Sequence, residues 1–250
     1  MRIFLVIILF FSFSVVNADD NQILLEEANK VYNEGSFGEA VELYEAVIEN
    51  GFQSAKLYYN LGNAYFKQNN FSAAILYYEK AKKLEPNDEN INFNLAIANN
   101  RIVDKIENVP ELFYIQWWNT LSYALTVDQW GLASTGFFIL LLLMALVFLL
   151  SRVVWLKKTS FWFGMLFLIS SISTYALANQ KFNSFRKDHE AIVFSPTLTV
   201  KSSPTESSID LFVIHEGTKV ELKDHVGDWY EIKIANGSVG WVKSNDIEKI

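Results

Sequence analysis

Two groups of side chains in this chain could build a binding surface, and neither could run a reaction. The first is Asn29, Tyr59, Asn60, Asn63, Phe66, Lys67 and Asn94. An asparagine offers one acceptor oxygen and two donor hydrogens, so a row of them can hold the backbone of an extended peptide. The competing reading is a row of amides solvated on a polar face. The second group is Trp229, Tyr230 and Trp241, which either line a groove for extended peptide or cell-wall stems or form the core of their own module. Bond-making chemistry finds no comparable support. His189, His215 and His225 lack HExxH or any other metal spacing. GxSxG, Walker and GxGxxG motifs are absent, and the carboxylates are scattered along solvated faces. With no cysteine, disulfides, thiolate metal sites and thiol catalysis are excluded. A non-enzymatic protein with no cofactor and no metal is expected. The net charge of −7 argues against nucleic acid, whose phosphates require a basic stripe.

The first group lies in residues 19–105, where the pattern repeats every 34 residues. From Ala55 onward, Tyr58, Leu61, Gly62, Tyr65, Ala74, Tyr78, Ala81 and Pro86 fall at the spacings of a tetratricopeptide repeat, which this stretch resembles. Gly62 and Ala74 mark the close approach of two helices, the aromatic residues fill the space between them, and Pro86 cannot continue a helix. One period earlier come Ala28, Val31, Ala40, Tyr44 and Val47, and one period later Leu95 and Ala96, in a single further helix running to about Lys105. Two and a half copies make a short solenoid with a concave side. The resemblance places the first group on that side. Asn29, Asn60 and Asn63 stand where members that clamp a terminal carboxylate have asparagines, but Leu25, Asn90 and Asn94 occupy the places of the clamp's basic residues.

The second group lies in residues 188–250, where the pattern alternates in short runs: AIVF, LTV, IDLFVI, KVEL, WYEIKI and VGWV. Asn236-Gly237 between two such runs predicts a hairpin with a type I′ turn. Several short strands in about sixty residues predict a small all-β barrel. LTVKSSPTESS, HEGTKVEL, GDWYEI and NGSVGWV resemble a bacterial SH3-like domain, with Lys201-Ser202-Ser203 in place of the usual Arg-Ser-Gly.

Between the two modules sits an apolar hairpin. Residues 130–151 and 161–179 each contain a run without acid or base at its centre, long enough to cross a ~30 Å hydrocarbon core. The link, 152–160, carries Arg152, Lys157 and Lys158 and no acid. Positive charge in short loops stays on the cytoplasmic side, so these three residues set the topology and both modules face outward. Residues 1–18 have the layout of a secretory signal peptide, against the alternative of an uncleaved amphipathic or signal anchor, and export agrees with this topology. Lys181, Arg186 and Lys187, on the proposed outer side, run against the rule. Residues 106–129, with Tyr114, Trp117, Trp118, Leu121 and Leu125 at helical spacing, predict a helix in the headgroup layer, against the alternative of a soluble helix under the solenoid.

The fold class is thus a multi-domain membrane protein: an all-α tetratricopeptide solenoid, a two-helix transmembrane hairpin and an all-β SH3-like barrel. This order, with the segment PELFYIQWWNTLSYAL, resembles the BatE family of aerotolerance operons along essentially the whole chain. The resemblance implies a bacterial inner-membrane protein working beside von Willebrand factor A-domain Bat proteins and a MoxR-type ATPase, with a part in stress or oxygen tolerance. The residues themselves give a scaffold that displays both modules on the periplasmic face. The alternative is a cell-wall-associated protein whose barrel binds peptidoglycan while the repeats recruit an envelope enzyme. A third possibility is a signalling subunit acting on the ATPase through the hairpin.

Overall fold

The computed structural model describes residues 18–106, 113–186 and 189–250. Residues 1–17 of the proposed signal peptide (1–18) and Pro110 lie outside them. The chain forms two compact units: residues up to 109 together with 189–250, and residues 110–188.

In the first unit, five helices follow the 34-residue period: α1 (Ala18–Asn33), α2 (Phe37–Glu49), α3 (Ala55–Lys67), α4 (Phe71–Leu84) and α5 (Glu89–Asn99). Their starts are set by local chemistry. Ser54 and Asp88, one period apart, accept from Leu57 N–H (3.1 Å) and Ile91 N–H (2.9 Å), satisfying first-turn donors. Residues equivalent by translation are buried alike: Ala40 and Ala74, Tyr44 and Tyr78, Val47 and Ala81. At Gly62 a Cβ would lie 2.7 Å from the Tyr78 ring, so only glycine lets α3 and α4 close to this distance. Ala96 repeats the Gly62 position but is exposed, because among the described residues no second repeat helix packs on that face of α5. That helix stops at Asn99, earlier than the periodicity suggests, and residues 104–106 are non-helical.

Residues 189–250 build a seven-stranded antiparallel sheet in the order β3-β2-β6-β5-β4-β1-β7. The strands are β1 (Glu190–Val193), β2 (Thr197–Lys201), β3 (Asp210–His215), β4 (Lys219–Val226), β5 (Trp229–Lys233), β6 (Val239–Lys243) and β7 (Ile247–Lys249). One apolar core takes residues from every strand, from Ala191 and Val193 through Ile214, Ile232 and Val242 to Ile247. A single sheet can enclose one core in this way only by curling on itself. The turn at Asn236-Gly237 forms, but not as type I′: Gly237 has φ +92° and Asn236 does not share the positive region. The connection between β5 and β6 is five residues long, closed by Ile234 N–H on Ser238 O (3.0 Å), and Asn236 Oδ1 accepts from Ser238 N–H (2.9 Å).

In the second unit, α6 (Phe113–Tyr123) precedes two long apolar helices, α7 (Val127–Leu150) and α8 (Val154–Arg186). Both are long and apolar enough to cross a membrane. Ser134 and Ser171 donate to each other's carbonyl oxygens (3.0 and 3.1 Å), and Phe137 stacks on Phe167, which fixes the register of the pair. The link is shorter than the residues 152–160 read from the sequence. Only residues 151–153 connect the helices, and Lys157 and Lys158 already belong to α8, because that helix begins at Val154. Lys181, which runs against the charge rule, has a structural task. The residue is 4% exposed, and its ammonium donates to Leu125 O (2.6 Å), just beyond the end of α6. Trp130 Nε1 donates to Ser122 O (3.1 Å), and Leu125 packs against Trp130, Leu177 and Ala178. On α6, Phe113, Tyr114, Trp117 and Trp118 remain exposed.

Replacing Gly62 by Ala should destabilise the repeat. Overpacking costs about 1–3 kcal/mol, against ~1 kcal/mol gained in helix propensity, and Tyr78 is held by Asn63 and cannot swing away. Urea unfolding followed by circular dichroism should show an earlier midpoint for Gly62→Ala.

Candidate functional site

On the repeat helices, Tyr59, Asn63, Phe66, Lys67 and Asn94 line one cleft of about 320 Å³, together with Tyr32, Tyr78 and Ile97. Lys67 is the only charged residue of that lining. Asn29 and Asn60 lie outside it, one period back. Beside the two readings of the asparagines, peptide grip or solvated face, the structure adds their side-chain partners. Asn63 Oδ1 accepts from Tyr78 OH (2.7 Å) and Asn94 Nδ2 (2.8 Å). One period earlier in register, Asn29 Oδ1 accepts from Tyr44 OH (2.7 Å) and Asn60 Nδ2 (2.9 Å). Asn94 Nδ2 also donates to Tyr59 OH (2.9 Å). The amides therefore form a ladder that ties each first helix to its own second helix and to the next first helix. Half-buried polar networks of this kind rigidify when their members are satisfied. Burial, then the nearby Tyr32, pushes the Tyr44 hydroxyl up to about 12, and burial raises Tyr78 as well, so both remain donors at neutral pH. The cleft is consequently a pre-shaped pocket with aromatic walls and a fixed amide floor, at the small end of the usual ligand-pocket range.

The structure splits the second group. In the β5–β6 register Trp229 faces Lys243 and Glu231 faces Trp241, so Trp229 and Trp241 share one face of the sheet. Tyr230 alternates to the other face and packs against the barrel core. Its ring lies 4.5 Å from that of His225, and Lys249 Nζ sits 5.0 Å above it. Period-two alternation is readable from GDWYEI and could have separated Tyr230 from the tryptophans. The shared face also carries Lys201, opposite Trp241, with Lys201 paired to Asp210 (2.7 Å).

A third feature gives no signal in the sequence: the barrel is seated on the repeat helices. Ile192 of β1 and Ile250 are buried in one core with Ala74, Ile75 and Leu76 of α4 and Leu95 and Ala98 of α5. Full burial of each isoleucine contributes about 1.5–3 kcal/mol. Around this patch lie charged and polar contacts. Lys219 Nζ bridges Glu79 of α4 (3.0 Å) and Glu190 of β1 (2.8 Å). Burial alone would lower the Lys219 ammonium, but the two carboxylates outweigh it and hold its pKa above the ordinary value. Lys83 donates to Ile250 O (3.1 Å).

The densest contact is Asp104. Its carboxylate accepts from His215 N–H (2.7 Å) and Thr218 Oγ1 (2.7 Å), and its other oxygen is 2.8 Å from His215 Nδ1. Burial opposes the charged form, yet the bonds from Thr218 and His215 and the attraction of the imidazole hold this carboxyl below its ordinary 3.8. Gly217, between these donors at φ +84°, has no room for a Cβ, which would run into the side chain of Ile102. The chain needs glycine there for both the turn and the close approach.

Comparison with known families finds a tetratricopeptide repeat at residues 55–88 and a bacterial SH3 domain at residues 196–248. Comparison with curated proteins finds no match. The chain therefore carries a repeat of the kind used in protein–protein contacts and a bacterial SH3 domain, on either side of two candidate membrane helices.

Removing the seam carboxylate should loosen the barrel from the helices. Hydrogen bonds to a charged group contribute about 1.5–3 kcal/mol, so Asp104→Ala should cost a few kcal/mol, most visibly as faster amide exchange around His215 and Thr218. The sign with pH follows from the depressed carboxyl: its stabilisation is present above its unfolded value and is lost as pH falls through the lower folded value. The native chain should thus lose seam protection only below about pH 3.8, whereas Asp104→Asn should lack that acid-dependent step.

Proposed function

We propose that this protein is a non-enzymatic adaptor of a bacterial inner membrane, which displays its repeat cleft and SH3-like face as one rigid head on the periplasmic side. The observation that carries this reading is the seam. Residues before and after the hairpin share a core through Ile192, Ile250, Ile75 and Leu95, and a carboxylate at Asp104. Segments on opposite sides of a bilayer cannot pack so, and an even number of crossings between them satisfies the requirement. The charge of Arg152, Lys157 and Lys158 supports a hairpin turn on the inside and a head on the outside. Confinement of two recognition surfaces on one head raises their effective concentration for a shared partner.

The resemblance to the BatE family supports partners among membrane-bound von Willebrand factor A-domain proteins and a MoxR-type ATPase, in a complex serving aerotolerance or another stress response. Extended segments of such partners would enter the cleft along Tyr59, Phe66 and Lys67, with Asn63 and Asn94 as its floor. A signalling role through the hairpin gains no support, since the link offers only three residues.

A second reading keeps one specific support. The face with Trp229 and Trp241 belongs to a bacterial SH3 domain and is not used in the seam. In that reading it binds peptidoglycan, and the repeats recruit an envelope enzyme.

Affinity purification of the full chain from membranes separates these readings. In the adaptor reading Tyr59→Ala with Lys67→Ala abolishes recovery of the membrane partners while the chain still fails to sediment with peptidoglycan. Recovery unchanged in the double variant, or sedimentation lost in Trp229→Ala, would instead favour the cell-wall role. Alkaline phosphatase fused after residue 250 should be active, and an inactive fusion would contradict the outward head.

A further inference from the structure

The turn between α7 and α8 concentrates charge that no carboxylate answers among the described residues. Arg152, Lys157 and Lys158 place three cations within seven residues, and no Asp or Glu occurs between Asp128 and Asp188. Among the described residues none of the three is in an ion pair with a carboxylate. Arg152 and Lys158 are exposed, while Lys157 is half-buried with its ammonium 5.7 Å from the centre of the Phe148 ring. That contact holds one cation against the end of α7 rather than letting it sweep through solvent. The link between the helices is only three residues, closed by Ser151 Oγ accepting from Val153 N–H (3.1 Å), so all three cations belong to the same end of the hairpin. Trp155 and Trp162 of α8 are 64% and 70% exposed beside them. Tryptophans at such a position settle at the headgroup level of a bilayer.

A set of unanswered cations at headgroup depth, flanked by exposed indoles, matches the chemistry of one ligand class. We propose that this end of the hairpin is a binding site for an anionic phospholipid, whose phosphate is taken by Arg152, Lys157 and Lys158 while its glycerol region lies against Trp155 and Trp162. The guanidinium of Arg152 presents a planar fork suited to two phosphate oxygens, and the lysines supply point charges. A zwitterionic lipid carries the same phosphate with a compensating ammonium, so net charge separates the two. The site rests on the reading that α7 and α8 span the bilayer, and it is independent of what the head binds.

The test uses the full chain purified in detergent and titrated separately with phosphatidylglycerol and phosphatidylcholine, with lipid retention read by native mass spectrometry. The native chain should half-saturate with phosphatidylglycerol at a concentration on the order of tenfold or more below that for phosphatidylcholine, as three cations near an anionic headgroup give. Arg152→Gln with Lys157→Gln and Lys158→Gln should bring the two lipids close to parity, while Lys56→Gln with Lys82→Gln, which removes charge from the repeat helices α3 and α4, should leave the preference intact. Equal retention of both lipids by the native chain, or an undiminished preference in the triple variant, would overturn the site. Carbonate extraction of the native chain from membranes checks the premise: an extracted chain would overturn the spanning reading and the site with it, whereas a retained chain without lipid preference overturns the site alone.

Discussion

An open solenoid of two and a half repeats has an apolar flank that it cannot cover by itself, and the rest of this molecule follows from how that flank is closed. Arrays of this kind normally end in a helix with a polar outer face. Among the described residues no second helix completes the repeat that α5 begins, and its Leu95 and Ala98, with Ile75 and Leu76 of α4, are covered by Ile192 and Ile250 from the far end of the chain. The barrel is the cap. Hydrophobic burial is non-directional, so it supplies affinity without orientation. Orientation comes from Asp104, which accepts three bonds from His215 at the end of β3 and Thr218 just before β4, and from Lys219, shared between a helix and a strand.

That closure constrains everything between residues 106 and 189. The chain departs from the cap and must return to it, so an intervening membrane segment has to come back to the same side. A pair of helices locked by reciprocal Ser134–Ser171 bonds meets the condition with the fewest crossings. Closure also lets two modules with modest individual surfaces act together. They are one body, so in the proposed adaptor role a partner meeting the cleft of Asn63 and Asn94 would find the tryptophan face at a fixed distance, with no linker entropy to lose on binding.

Much of this is legible in the residue pattern, and the reasons for the remainder are physical. The repeats can be read because Gly62, Ala74 and Tyr78 each meet a local steric demand that recurs after 34 residues. The strands can be read because alternation reports a half-buried sheet, and the apolar helices because charge is excluded from their central runs. What escapes is long-range or dual-purpose. Nothing in the neighbourhood of Asp104 marks it as the acceptor for residues more than a hundred positions away, and β7 is too short to alternate visibly. The asparagines stand out, but amide chemistry alone does not say whether a ligand or a tyrosine hydroxyl takes the acceptor. Lys181 misleads for a related reason: the charge rule counts lysines as solvated, and this one is committed to Leu125 O.

Helices and barrel form one folded head, and the Lys219 bridge reports on that claim directly. A carbodiimide couples an ammonium to a carboxylate without inserting any atoms, and Lys219 Nζ lies 3.0 Å from Glu79 and 2.8 Å from Glu190. Treatment of native membranes followed by peptide mass spectrometry should yield both links, Lys219 to Glu190 within the barrel and Lys219 to Glu79 across the seam. Recovery of the Glu190 link without any Glu79 link would show a reactive lysine on a barrel that is not seated on the helices, and would contradict a single head.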